Sequence, residues 1–139
     1  MNSVQKLLLL IAFVWGIAFH ATVKAEDEEE ISPESIYVAI EPAFVTNYGG
    51  PGRLRYMSVE VSLRVLGPEG EASVQRHMPN IKDTLLNLFA IQTTATISDA
   101  EGKETLRQES LKQVGDMLTE EGDEGLLEDL LFTGFVVYR

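Results

Sequence analysis

Between Leu54 and Leu66 the chain alternates with a strictness that few folds accommodate. Met57, Val59, Val61, Leu63 and Val65 take every second position, and Ser58, Glu60, Ser62 and Arg64 fill the positions between. Side chains along a strand point to opposite faces in turn, so this segment predicts a strand with one apolar and one wetted face. A sheet built around such a strand is antiparallel and covered on one side only. The rest of the chain must then supply the cover and the neighbouring strands. Gly67-Pro68-Glu69-Gly70 ends the strand.

The neighbouring segments fit that demand. Ile36–Ile40 reads as a short strand that either stops at Glu41-Pro42 or resumes over Phe44–Tyr48. Asn47–Gly52 (NYGGPG) is a hairpin turn. Its glycines lack the following lysine and hydroxyl that a phosphate-binding loop requires. Val74, His77, Met78, Ile81, Leu85, Leu88 and Phe89 share one face at helical spacing. Pro79 lies inside this stripe and either kinks the helix or restarts it as the first residue of a second one. Ser98-Asp99-Ala100-Glu101 predicts a capping box for a helix to about Glu121. Leu106, Ser110, Leu111, Val114, Met117 and Leu118 form its inner face. Leu126–Tyr138 is a last strand, with Leu131, Thr133, Phe135 and Val137 on one face and Leu130, Phe132, Gly134, Val136 and Tyr138 on the other. Two apolar faces predict a central strand, or one covered by another subunit. The fold class is α+β, with two helices on one face of a small, mainly antiparallel sheet.

An N-terminal hydrophobic helix is predicted to precede this domain. Leu7, Leu8, Leu9, Leu10, Ile11, Phe13, Val14, Trp15, Ile17 and Phe19 belong to the uncharged run LLLLIAFVWGIAF, with Lys6 before it and Lys24 after it. Residues 1–25 are read as a signal peptide or a membrane anchor. Val23-Lys24-Ala25 is an acceptable cleavage triplet. As an anchor, Leu7–Val23 at about 1.5 Å per residue reaches roughly 25 Å, short of the roughly 30 Å of hydrocarbon in a bilayer. Either way positive charge stays inside and Glu26–Arg139 is exported to the periplasm. Residues 26–35 open with Glu-Asp-Glu-Glu-Glu and are read as an acidic, solvated linker. Contiguous acids lack the alternating spacing and turn glycine of a calcium loop. Residues 36–139 are the folded periplasmic domain.

Lys6 and Lys24 precede all 22 acidic residues, so the exported part is more anionic than the whole-chain net charge of −11. Such a surface repels phosphate backbones and anionic headgroups, which argues against nucleic acid as a partner. There is no cysteine, hence no disulfide and no thiolate metal site. After the leader His77 is the one histidine, on an apolar helix face, without the imidazole partner a zinc site needs. Ser58 and Ser62 are strand positions and Ser98 serves as a cap. No nucleophile, base and orienting group fall together, so the expectation is no enzyme, no catalytic residue, no cofactor and no metal.

Several phrases, in order, resemble one family. They are Ile40-Glu41-Pro42 with Phe44-Val45-Thr46-Asn47, then Arg55-Tyr56-Met57-Ser58-Val59-Glu60-Val61, then Pro79-Asn80-Ile81-Lys82-Asp83-Thr84-Leu85-Leu86-Asn87-Leu88. Glu101-Gly102-Lys103-Glu104-Thr105-Leu106 and Leu131-Phe132-Thr133-Gly134-Phe135-Val136-Val137 complete the set. From about Tyr37 to Val137 the chain resembles FliL, the single-pass flagellar basal-body protein of the bacterial inner membrane. The resemblance implies a periplasmic domain similar to the stomatin/prohibitin domain and no catalytic residues. It implies self-association into a ring-like homo-oligomer around the flagellar stator proteins, and a part in flagellar rotation, chemotaxis and motility. The family usually has a cytoplasmic start, a full-length membrane helix and a longer linker. The short apolar run departs from that pattern and is compatible with a divergent paralogue.

Glu41, Pro42, Phe44, Arg55, Tyr56 and Phe135 are candidate packing or subunit-contact residues. The expected function is a non-enzymatic motor accessory that associates with the stator. The alternative is a periplasmic binding or scaffold module for another envelope protein or a small ligand. A hydrolase would have to recruit His77.

Overall fold

The computed structural model describes residues 34–138. The apolar segment Leu7–Phe19 and the acidic run from Glu26 lie outside the described residues. Within them the order is β1 (Ser35–Asn47), β2 (Tyr56–Leu66), α1 (Gly67–Ala90), α2 (Thr94–Ile97), α3 (Ala100–Glu120) and β3 (Leu127–Tyr138). The three strands form one antiparallel sheet in the order β1-β2-β3. The architecture is α+β, and no helix among the described residues is long and apolar enough to cross a membrane.

The alternating segment is the middle strand. Met57, Val59, Val61, Leu63 and Val65 are all buried. Opposite them on the same face stand Val38, Ile40 and Phe44 of β1 and Leu130 of β3, also buried. Val74, Ile81, Leu85, Leu88 and Phe89 of α1 and Leu106, Val114 and Leu118 of α3 close the core from the helix side. α1 and α3 each present the stripe that their periodicity predicts. Among the described residues, the other face of the sheet carries no helix.

Among the described residues β3 is an edge strand, which corrects the first of the two alternatives drawn from its apolar faces, a central place in the sheet. Its register explains the pattern. Glu60 pairs with Gly134 and Val61 with Phe132, so Thr133 has no opposite residue on β2. Likewise Arg64 pairs with Asp129 and Val65 with Leu127, which leaves Glu128 extra. An extra residue shifts the phase of the alternation. Phe132 and Phe135, expected on opposite faces, therefore both pack against the core, together with Leu127, Leu130 and Val137.

β1 does not stop at its proline. Ile40 pairs with Val61 and Phe44 with Val59, so Glu41, Pro42 and Ala43 together face Glu60. The Glu41–Pro42 peptide is cis. Proline is tolerated here because β1 is an edge strand, where its missing N–H interrupts no second ladder.

Pro79 likewise sits inside one continuous helix rather than starting a second. Pro79 and Gln75 are both exposed, so the carbonyl that loses its N–H partner faces water. The helix also begins earlier than its apolar stripe. Gly67, at φ +60°, turns the end of β2 directly into α1. Pro68 takes a first-turn position where its missing N–H is no loss.

The cap of α3 is Asp99, which accepts from the Gly102 N–H at 2.8 Å. Ser98, expected to cap, instead closes α2, with its hydroxyl donating to the Ala95 carbonyl at 3.4 Å. The capping box belongs to α2, between Thr93 and Thr96.

Candidate functional site

Among the described residues, the sheet face away from the helices leaves large hydrophobic side chains exposed. Residues paired in register share a face, so the ladder defines it in rows. Asn47, Tyr56 and Tyr138 form one row, and Val45, Ser58 and Val136 the next. Ala39, Ser62 and Leu131 form another, and Tyr37 pairs with Arg64 toward the opposite end. Tyr56 and Tyr138 stack at 4.2 Å between ring centroids, yet remain 45 % and 42 % exposed. Val45, Val136 and Tyr37 are also exposed. These apolar and aromatic side chains share the face with Asn47, Ser58, Glu60 and Arg64.

Charge is confined to parts of that face. Arg64 Nε lies 3.4 Å from Glu128 Oε2, beside Tyr37. Tyr37, then Glu128, keeps the Arg64 guanidinium protonated above its ordinary range. Across the middle, a shallow groove of 640 Å³ follows the irregularity in β1, lined by Glu41, Pro42, Ala43, Glu60 and Thr133 among others.

The six candidate contact residues are divided by the fold. Phe44 is core, with its ring edge-on to Phe89 at 5.3 Å. Phe135 packs at the core rim, 5.5 Å from the Phe132 ring and under the Lys103 ammonium at 5.0 Å. Glu41 and Pro42 are exposed at the irregularity, where the Glu41 carbonyl accepts from Lys82 at 2.6 Å. Tyr56 lies on the open face. Arg55 is half-buried at one end of the sheet and donates to Thr94 Oγ1 at 2.8 Å. Tyr138, Val136, Val45 and Tyr37 were not singled out by sequence. Their signal is their position one step out of phase with buried strand neighbours.

His77 makes a structural contact. Asp123 Oδ2 accepts from Ser73 Oγ at 2.6 Å and from Arg76 Nη1 at 3.0 Å, and lies 3.1 Å from His77 Nε2. Serine and histidine converge on one carboxylate oxygen, so the serine proton goes to Asp123 and not to the imidazole. That is not the chain of contacts that activates a nucleophile. It ties the turn after α3 to α1. Among the described residues no group of three or more His, Asp or Glu is placed to hold a metal ion.

This clamp has a pH signature. Ser73 first, then Arg76 and His77, hold the Asp123 carboxyl below its ordinary range. A carboxylate depressed on folding contributes stability above its unfolded pKa, and that contribution is lost as pH falls through the folded value. Glu104, held down to about 2 by Arg107 and then Gln108, acts in the same direction. Melting temperature should therefore decline below about pH 4. Asp123→Asn, which keeps an acceptor but no charge, should be less stable at pH 7 and show a shallower acid decline. Thermal unfolding of both proteins from pH 7 to pH 2 checks this; parallel curves would refute it.

The chain is similar to known flagellar proteins across this whole unit. A family model described as flagellar basal body-associated protein FliL matches residues 37–137, from within β1 to within β3. The flagellar protein FliL of Aquifex aeolicus is 28% identical over 102 residues, which covers 73% of this chain and 61% of that protein. The chain thus spans less than two thirds of that relative's length. The flagellar protein FliL of Escherichia coli K12 is 25% identical over 117 residues, covering 83% of this chain and 74% of that protein.

Proposed function

This chain belongs to the FliL family of flagellar basal body-associated proteins, and from that membership we propose that it is a non-enzymatic accessory of the flagellar motor. In this reading the domain stands in the periplasm, held or delivered by the Leu7–Phe19 segment. It associates with further copies of itself and with the stator, and supports rotation under load. The family match over 37–137 carries the reading.

The geometry supports a binding role. A three-stranded sheet with helices on one side leaves Tyr37, Val45, Tyr56, Val136 and Tyr138 exposed on the other. Small domains that leave apolar surface open gain stability by covering it with a partner.

Deletion of the gene should reduce swimming speed, most of all in viscous medium. Restoring Val136→Asp, which alters the open face and no core position, should leave the strain slow while the protein accumulates normally. Unchanged motility in the deletion strain would refute the motor role. Full rescue by Val136→Asp would remove the sheet face from it.

A further inference from the structure

Beside the sheet end that carries Tyr56, the chain builds a small polar pocket from segments far apart in sequence. Tyr48 N–H donates to the Arg55 carbonyl at 3.1 Å, and Gly49 N–H to the Gln92 carbonyl at 3.0 Å. Arg55 Nη1 donates to Thr94 Oγ1 at 2.8 Å. The last two ties join the β1–β2 connection to Gln92, between α1 and α2, and to Thr94 at the start of α2. Tyr48, Arg53, Arg55 and Thr94 line the resulting pocket of 220 Å³.

Two independent observations give the pocket a direction. Tyr48 is only 4% exposed, and its buried hydroxyl has no hydrogen-bond partner among the described residues. A buried polar group left unpaired is costly, so the hydroxyl lacks something that an acceptor would supply. The second observation is charge. Arg64, Arg76, Arg107 and Lys112 each reach a carboxylate. Arg53 and Arg55 reach none among the described residues; Lys82 and Lys103 reach none either, but Lys82 is engaged by the Glu41 carbonyl and Lys103 by the Phe135 ring. Arg55 uses one donor on Thr94 and keeps the others. Tyr48, Arg53 and Arg55 thus line a pocket whose walls hold no carboxylate, with Thr94 Oγ1 accepting one arginine donor.

We infer that this pocket binds one small oxyanion, a carboxylate or phosphate group. Planar guanidinium forks match the paired oxygens of both, and the volume has room for such a group. The oxyanion has two sources: a free anion, or a carboxylate on the acidic surface of a second copy. The inference stands on the pocket itself and does not depend on the motor reading.

The test uses the full chain in non-ionic detergent micelles. Inorganic phosphate, then acetate, is titrated while the arginine Nε–H and Gly49 amide resonances are followed, with chloride as the ionic-strength control. Saturable shifts are expected with phosphate or acetate and not with chloride. Tyr48→Phe should be at least as stable to heat without anion, yet bind about tenfold more weakly, a split that a purely packing role does not produce. Sedimentation separates the sources. Self-association that is lost in Arg53→Glu/Arg55→Glu and reversed by phosphate identifies the second copy's carboxylate. Saturable shifts without any change in association identify a free anion. Absence of saturable shifts, together with association indifferent to both arginines, overturns the inference.

Discussion

Phe89→Ala should cost about 3–5 kcal/mol, a large share of the roughly 5–15 kcal/mol that holds a domain of this kind together. Phe89 is fully buried and sits where three elements meet. Its ring is edge-on to Phe44 of β1 at 5.3 Å and to Phe132 of β3 at 5.9 Å. Removing it deletes transfer free energy and both aromatic contacts, and leaves a cavity against a sheet that cannot collapse around it. Leu86→Ala on the same helix provides the control. Leu86 is 42% exposed, so its loss should cost no more than about 0.5 kcal/mol. Urea denaturation of the two variants decides the matter: a shifted midpoint at unchanged slope is expected for Phe89→Ala alone. Equal midpoints would mean that α1 is not seated on the sheet through this ring.

The role of Phe89 was legible in sequence, and the reason sets the limits of such reading. Helix faces and the β2 face are written by local period, which one segment carries by itself. Val74, Ile81, Leu85 and Phe89 therefore fall as expected, as do Leu106, Val114 and Leu118. β3 was misread because its phase depends on a partner strand. Only the pairing with β2 reveals that Thr133 and Glu128 are extra and that Phe132 and Phe135 share a side. The surface follows the same division. Arg55 and Tyr56 were singled out one by one. Their companions Thr94 and Tyr138 are far along the chain and come beside them only through tertiary contact. Caps were legible in kind and misplaced by one residue, since Ser98 and Asp99 both suit the role. The choice falls to Asp99 because Ser98 is already engaged in closing α2.

The junction between α2 and α3 yields the second large effect, in which two glycines of one helix should respond with opposite sign. Helix propensity alone favours alanine over glycine by about 1 kcal/mol at an interior position. At Gly115 nothing lies within 4 Å of the added methyl, so Gly115→Ala should stabilise by about 0.5–1 kcal/mol. At Gly102 the same methyl would collide with the Thr96 carbonyl oxygen, with the Thr96 carbonyl carbon 2.9 Å away and Asp99 Oδ1 at 3.2 Å. These are the backbone of α2 and the cap of α3, neither of which can swing aside like the end of a flexible side chain. Overpacking typically costs about 1–3 kcal/mol. Displacing Asp99 would also forfeit its bond to the Gly102 N–H, worth about 1 kcal/mol for a helix cap. Gly102→Ala should therefore destabilise by about 2–4 kcal/mol despite its better helix propensity. Melting curves of the two variants give the sign directly. If Gly102→Ala proved as stabilising as Gly115→Ala, the close seating of α2 against the first turn of α3 would be wrong.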